Sequence, residues 1–462
     1  MSGILATHIF FINIIYNLLI VEICGIVNLS KFNFILIFNK EGSIMKKDAK
    51  YNMNIEPRLP NWFWFNCVIK LMSHFMAGKM GTNTKINRIN CEGLKPPYLI
   101  FTTHASFIDF PNLAKAMKKD KACWVASVEE FIGIRSFLFD KACVIPKRKF
   151  TNDAALIKKI VRATRNNISM AIYPEARFSL AGINEDIGTA CGKLAKMCGV
   201  PVVVFNQRGN FLRSPQWNKH PYRKCPLEAD FIQVVNLEEV KTLSADEIQQ
   251  RIEKAMVYDE YKWQKENNIR ITSKYRAHNI HKILYKCPVC GDEHHMKSEK
   301  TMLWCEKCNA KWEMDELGQM QCLTGENKFT HVPDWYNWER EEVRKEVQNG
   351  TYLVNEKVRV EKLINQRVGF KVYGSASMIH DVNGYHFDGK LIDGSDFKFD
   401  KHPQSTRSMH IEYDYKEKGD ALDIVYNDET YFVYPLLNDS NLTKYHFATE
   451  EIFMHTEVKK ND

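Results

Sequence analysis

The chain has 462 residues, of which 45% are hydrophobic, 12% aromatic and 26% charged, enough apolar material for about three domains and too much for a disordered chain. Its 64 Lys and Arg against 56 Asp and Glu leave a formal charge of +8, which suits an anionic partner such as a membrane surface, a phosphorylated substrate or nucleic acid without choosing among them. The 13 cysteines are odd in number and scattered outside one cluster near position 300, which argues against a secreted disulfide scaffold.

Residues 1–44 are a hydrophobic leader with only Glu22, Lys31, Lys40 and Glu41 charged. Residues 9–29 are long enough to span a bilayer, but Asn13, Asn17 and Glu22 are costly in hydrocarbon. A secretory signal needs a basic start and a small-residue cleavage site, and neither is evident. Ile, Asn, Phe and Lys, which have AT-rich codons, make up over half of the leader, and Lys40-Glu41-Gly42 reads as an in-frame translation of a purine-rich ribosome-binding sequence. The expectation is that translation starts at Met45 and that 1–44 lie upstream of it, with a membrane anchor as the competing reading.

From Asn61 to Lys79, Trp62, Phe63, Trp64, Phe65, Val68, Ile69, Leu71, Met72, Phe75 and Met76 outline an amphipathic helix with an aromatic entry, suited to shallow membrane insertion or to core packing. Apolar runs follow at Tyr98–Thr102, Ala122–Ala126, Ala142–Ile145, Ser169–Tyr173 and Val200–Phe205, separated by stretches of helical length. Strands alternating with helices predict an α/β layer architecture, ending with a helix at Ala245–Met256. Lys158, Lys159, Arg162 and Arg165 recur at helical spacing, as a solvated face or as a face for anionic lipid.

Three strand-end segments carry chemistry. Thr103 leads into His104-Ala-Ser-Phe-Ile-Asp109; an imidazole oriented by a carboxylate can act as a general base. Five residues turn about 140° around a regular helix, so the pair must meet across a loop into a helix start. Cys143-Val-Ile-Pro-Lys147-Arg148-Lys149 closes another run with a cationic cluster, and Tyr173-Pro-Glu175-Ala-Arg177-Phe-Ser179 offers an Arg fork beside a carboxylate. In an open α/β sheet such strand ends converge at the carboxyl edge, where ligands bind.

On these residues, region 60–255 resembles the glycerolipid and lysophospholipid acyltransferase superfamily, typified by 1-acylglycerol-3-phosphate acyltransferases. His104 and Asp109 match its His-x4-Asp block, Val144-Ile-Pro-Lys147-Arg148 its basic acceptor block, Tyr173-Pro-Glu-Ala-Arg177-Phe-Ser179 its Phe-Pro-Glu-Gly-Thr-Arg-Ser block, and Gly199-Val-Pro201-Val-Val-Val-Phe205 its last apolar block. Ala176 stands where the family has Gly, Arg177 where Thr is common, and Phe178 at the usual Arg position. The resemblance implies transfer of a fatty acyl group from acyl-CoA or acyl carrier protein to a lysophospholipid hydroxyl. His104 and Asp109 would be catalytic, and Lys147, Arg148, Glu175 and Arg177 would bind the acceptor. It also implies a membrane-associated enzyme of phospholipid biosynthesis on the cytoplasmic face, with no cofactor needed for catalysis.

Further on, Cys287-Pro-Val-Cys290 and Cys305-Glu-Lys-Cys308 have the spacing of a structural zinc ribbon. Lys-rich surroundings leave a second reading, a nucleic-acid or protein-binding ribbon protein with a non-catalytic α/β domain, although nucleic acid is not the partner expected. The last hundred residues alternate in short runs broken by Gly374, Gly384, Gly389 and Gly394, which predicts a small β-rich module of pleckstrin-homology-like shape. The expected organisation is a leader (1–44), an acyltransferase domain with a membrane-associating helix (45–256), a basic helical linker (257–283), a zinc ribbon (284–322), a charged helical linker (323–355) and the β-rich module (356–462).

Overall fold

Apolar runs without alternation belong to strands covered on both faces, and the first half of the chain is built on them. The computed structural model describes Met53 and residues 55–71, 84–151, 153–220, 223–437 and 440–461. The leader, the start expected at Met45 and the aromatic segment beyond Leu71 lie outside the described residues. β1 (Thr84–Ile89), β2 (Leu99–Thr102), β3 (Ala122–Ser127), β4 (Val144–Lys147), β5 (Ser169–Ile172), β6 (Val202–Arg208) and β7 (Leu227–Val235) form one sheet in the order β1-β7-β6-β2-β5-β3-β4. The five runs from β2 to β6 are mutually parallel, while β7 returns antiparallel to β6. All five therefore end at one edge.

Helices α1 (Asp109–Ala116), α2 (Ile134–Lys141), α3 (Ala154–Arg165), α4 (Ala190–Cys198), α5 (Asn210–Arg213), α6 (Glu239–Thr242), α7 (Ala245–Met256) and α8 (Glu260–Glu266) accompany the sheet. α7 has the bounds the sequence suggests because Ser244 and Glu247 close a capping box at its start. Leu156, Ile160, Ala195, Ile248 and Ile252 pack with Leu99, Val202 and Val204 in one core. Ahead of the sheet, Trp64–Ile69 form a π-helical turn that buries Phe65 and Ile69. Trp62 stays 67% exposed. Part of the basic face of α3 holds this approach: Lys159 donates to the carbonyls of Met53 and Ile55 at 3.0 and 3.2 Å, and Arg162 pairs with Glu56.

Residues 257–283 differ from the helical linker expected. Only α8 and a 3-10 turn at Ile280–Lys282 are helical. The rest is pinned as turns to the next module, with Ala277 N donating to Lys300 O at 2.9 Å and Arg276 Nε to Met314 O at 2.6 Å, and it buries Ile271, Ala277 and Ile280. β8 (Met296–Glu299), β9 (Met302–Cys305), β10 (Lys311–Met314) and β11 (Met320–Cys322) follow as a small antiparallel sheet, and then α9 (Val332–Gln348).

The C-terminal module comprises β12 (Leu353–Asn365), β13 (Gly369–Asp381), β14 (Gly384–Leu391), β15 (Asp396–Lys401), β16 (His410–Glu412), β17 (Ala421–Tyr426), β18 (Glu429–Pro435) and the terminal helix α10 (Leu442–Asn461). Its sheet order is β15-β14-β13-β12-β18-β17-β16, a four-stranded and a three-stranded meander joined through β12 and β18, with the helix appended. The β-rich module expected from the sequence is therefore present as this sheet and its helix. Val358, Met378, Phe387 and Phe447 share a core with Trp312 of the small sheet, Trp335 of α9, and Phe211 and Trp217 near the first sheet.

The C-terminal sheet also docks on the ends of β3 and β4. Lys149, 9% exposed, places Nζ 3.0 Å from Asp423 and 3.7 Å from Glu412, and Thr430 Oγ1 donates to Glu129 at 3.0 Å. Removing one member of a buried ion pair strands the other's charge. Lys149→Ala is therefore expected to destabilise the chain by about 3–5 kcal/mol, read from urea unfolding; a loss below about 1 kcal/mol, the range of surface pairs, contradicts this docking.

Candidate active site and metal centre

β2 and β6 are paired in parallel through Thr102 and Phe205, and the pairing runs on past the strand, with Thr103 N donating to Phe205 O at 3.2 Å. His104 follows at the sheet's carboxyl edge. The chain then curls around the carboxylate at the start of α1. Asp109 Oδ2 accepts from Ala105 N at 2.6 Å, from Ser106 N at 2.9 Å and lies 3.1 Å from His104 Nδ1. The five-residue spacing thus closes across a loop into a helix N-terminus, where a carboxylate is also favoured by the helix dipole. Asp109 is fully buried, whereas the His104 side chain is 23% exposed, so the ring's Nε2 side is the part a substrate can meet.

The loop after β5, the neighbour of β2, grips His104 from both sides of its backbone. Glu175 Oε2 accepts from His104 N at 2.9 Å, its Oε1 accepts from Glu185 N at 3.0 Å, and Ser179 N donates to His104 O at 2.9 Å. The imidazole lies between Tyr173 and Phe178, with ring centroids 4.2 and 4.3 Å away. This turn requires φ +56° at Ala176, a left-handed conformation that glycine adopts without strain, which accounts for the glycine usual in that motif.

Two residues assigned to the acceptor from sequence are corrected by this geometry. Glu175 is 2% exposed and spends both oxygens on backbone N–H groups, so it braces the loop. Arg177 is 3% exposed and points away from solvent into a charge cluster: Nη2 donates to Glu185 at 2.8 Å and to Glu450 at 2.7 Å, and Nη1 lies 2.7 Å from His446 Nε2. Burial, then the Arg177 charge, pushes His446 well below the usual imidazole range, so its Nε2 is an acceptor. Arg340 of α9 pairs with Glu450 at 2.6 Å. The positive charge of Arg177 is consumed by α10.

Of the cationic cluster, Lys149 is consumed by β16 and β17 as described above. Lys147 is half-buried, donates to Thr151 O at 2.9 Å and is pushed down by burial, with Asp153 opposing. Arg148 keeps only a 3.6 Å approach to Asp428, whose side chain is 90% exposed. A residue with no sequence signal joins the site: Asn210, at the start of α5, donates Nδ2 to Asp109 Oδ1 at 2.5 Å.

In the small sheet, the sulfurs of Cys287, Cys290, Cys305 and Cys308 all lie within 4.8 Å of one another. The Cys287–Cys308 and Cys290–Cys305 separations are 3.7 and 3.8 Å, matching the edge of about 3.8 Å of a tetrahedron with metal–sulfur bonds of about 2.3 Å. The two knuckles are alike: Gly291 N returns to Cys287 O and Asn309 N to Cys305 O, each at 2.9 Å, with Gly291 and Asn309 at φ +73° and +62°. These four thiols fit a closed metal site. His295 is instead held by Asp292 at 2.7 Å.

Residues 81–206 match the family model described as Acyltransferase. This segment is an acyltransferase-family domain. It holds β1 to β5 and the start of β6, with His104, Asp109, Lys147, Arg148, Glu175 and Arg177; Asn210, the cysteine cluster and the C-terminal module lie beyond it. Among solved structures, the crystal structure of the 1-acyl-sn-glycerophosphate (LPA) acyltransferase, PlsC, from Thermotoga maritima aligns over 40% of this chain and 76% of its own length, at 12% identity and a TM-score of 0.34. No curated protein matches the chain.

The acyltransferase-family domain also carries a titration. Burial pushes the Glu175 carboxyl up to about 8. A carboxyl whose folded pKa exceeds its unfolded value, about 4.3, stabilises the fold fully below that lower value, and the stabilisation is lost as pH rises through the folded one. Glu175→Gln removes this titration. Urea unfolding from about pH 5 to about pH 8 should therefore show a shallower decline of stability in the variant than in the parent; parallel declines contradict the assignment.

Proposed function

We propose that the protein is a membrane-associated acyltransferase that moves a fatty acyl group from acyl-CoA or acyl carrier protein to the free hydroxyl of a lysophospholipid of the 1-acylglycerol-3-phosphate kind, within phospholipid biosynthesis or remodelling. The observation that carries this reading is the His104–Asp109 pair, 3.1 Å apart at the carboxyl edge of the sheet in an acyltransferase-family segment. With Nδ1 held by Asp109, Nε2 is the nitrogen that takes the hydroxyl proton. The oxygen attacks the thioester carbonyl, the carbon–sulfur bond breaks, and the imidazolium returns its proton to the departing thiolate. Asp109 orients the ring and offsets the charge that forms on it.

With Arg177 and Lys149 consumed, the acceptor's phosphate falls to Arg148, with Lys147 beside it. β4 stands three strands from β2 in the sheet, about 14 Å at the usual strand spacing, a gap that the Arg148 side chain would narrow on turning from Asp428 toward His104. The approach to exposed Asp428 is screened by solvent and leaves the guanidinium available. Exposed Trp62 supports attachment to a membrane surface, and the face proposed is the cytoplasmic one; among the described residues no helix is long and apolar enough to cross a bilayer.

The four cysteines would hold a structural zinc ion, which supplies cross-linking of the two knuckles and no catalytic chemistry. Native protein should contain a single zinc ion per chain, and chelation should alter the fluorescence of Trp312, whose ring lies 5.0 Å from Trp335. Metal-free native protein with an intact small sheet contradicts the site.

The test of the reading is acyl transfer by the purified chain, with acyl-CoA and acyl carrier protein donors against lysophosphatidic acid, other lysophospholipids and glycerol 3-phosphate. Transfer to a lysophospholipid is expected, falling at least 100-fold in His104→Ala, the scale on which removal of a general base acts. Retention of more than a few per cent of activity in that variant removes His104 from the role. Absence of transfer, with salt-sensitive polynucleotide binding instead, favours the non-catalytic alternative.

A further inference from the structure

Resting on that acyl-transfer reading, we propose that Asn210 is a positioning residue for the reaction, the third member of a relay in which its amide fixes Asp109 and Asp109 fixes the His104 imidazole. The amide orientation is determined by its surroundings. Nδ2 faces both Asp109 Oδ1, at 2.5 Å, and Gln207 Oε1, at 3.0 Å; a flipped amide would set its oxygen against a carboxylate and a carbonyl. Asp109 Oδ2 is already filled by Ala105 N, Ser106 N and His104. Among the described residues, Asn210 is the partner of the other oxygen. Without it the carboxylate can rock about its Oδ2 contacts, and the ring it holds rocks with it.

The surrounding chain holds Asn210 in place independently of substrate. Gly209, just before it, has φ +87°, and a Cβ there would meet Pro226 O at 2.1 Å, so the turn out of β6 tolerates only glycine. Gly209 N donates to Glu260 Oε2 at 2.6 Å. Glu260, fully buried on α8, is itself set by its backbone N–H donating to Gly182 O at 2.8 Å. Gln207 N is held by Thr103 Oγ1 at 3.1 Å, one residue before His104. The two strand ends are thus tied at several points, and Asn210 lies outside the segment matched by the family model, 81–206, so this chain completes its site with its own following loop.

The experiment compares the full chain with Asn210→Ala and Asn210→Asp. Asn210→Asp keeps the shape but turns a donor toward Asp109 into a second carboxylate. Both variants should retain the parent's circular dichroism, lose about tenfold to a hundredfold in kcat and keep KM for donor and acceptor within about twofold. Asn210→Asp should fall at least as far as Asn210→Ala. A loss confined to KM, or kcat above half the parent value in both, overturns the proposal.

A readout that needs no activity accompanies it. In 15N spectra of histidine-labelled chain, with the His104 signals assigned by their disappearance in His104→Ala, the parent should show Nδ1 protonated and Nε2 bare. The Asn210 variants should show mixed tautomers. An unchanged His104 tautomer overturns the proposal even where no acyl transfer is detected, whereas a changed tautomer without transfer supports the positioning role and counts against the acyl-transfer reading.

Discussion

Asp109 Oδ2 gathers two backbone N–H groups and the His104 ring, and much else in the first sheet serves that arrangement. A buried carboxylate without donors would be too costly to keep charged. Hydrogen bonds to a charged acceptor contribute about 1.5–3 kcal/mol each, so the loop between β2 and α1 folds around the charge because the charge needs its N–H groups. The same contacts bring together a His and an Asp whose spacing could not share a helix face, the pair that the proposed reaction uses as base and orienting partner. Parallel neighbours then supply the rest: the β5 loop grips the backbone of His104 through Glu175 and Ser179, and the β6 turn delivers Asn210.

The C-terminal half is built into the acyltransferase-family half through charge. Arg177 and Lys149 sit at the ends of β5 and β4, where a phosphate could be bound, yet Glu450 and Glu185 take the first and Asp423 and Glu412 the second. Both cations are nearly inaccessible to solvent, and buried charges persist only with such partners. Under the proposed reaction, the acceptor would be recognised with fewer cations than the motifs suggest. The terminal helix becomes part of the scaffold that sets the loop beside His104, because the same loop carries Glu175, Arg177 and Phe178.

The sequence was most readable where local physics decided the outcome. Strands β2 to β6 announce themselves as uninterrupted apolar runs, α7 by its capping box, and the four-cysteine cluster by its spacing. β1 and β7 do not: β1 buries only Thr84, and β7 sets its buried Leu227, Ala229 and Phe231 between half-buried charged and polar residues. α10 has no apolar stripe to find: Leu442, Tyr445, Phe447 and Ile452 are buried together with Thr443, His446, Glu450 and Glu451, because the helix is enclosed on more than one side. Glu175 and Arg177 were visible as charged strand-end residues, but their roles depend on Glu185, His446 and Glu450, and those partners become neighbours only through the fold. Asn210 carries no local pattern at all; it reaches Asp109 solely because β6 lies beside β2.

The account stands on the charge of Asp109 acting through the His104 ring. Its most direct test is the acyl-transfer kcat of Asp109→Asn, a change that preserves side-chain shape and an oxygen for the loop's N–H groups while removing the charge. A folded variant with kcat reduced by about 100-fold or more is the result expected, in line with the loss when an orienting carboxylate becomes an amide. A folded variant whose kcat stays within about threefold of the parent contradicts it.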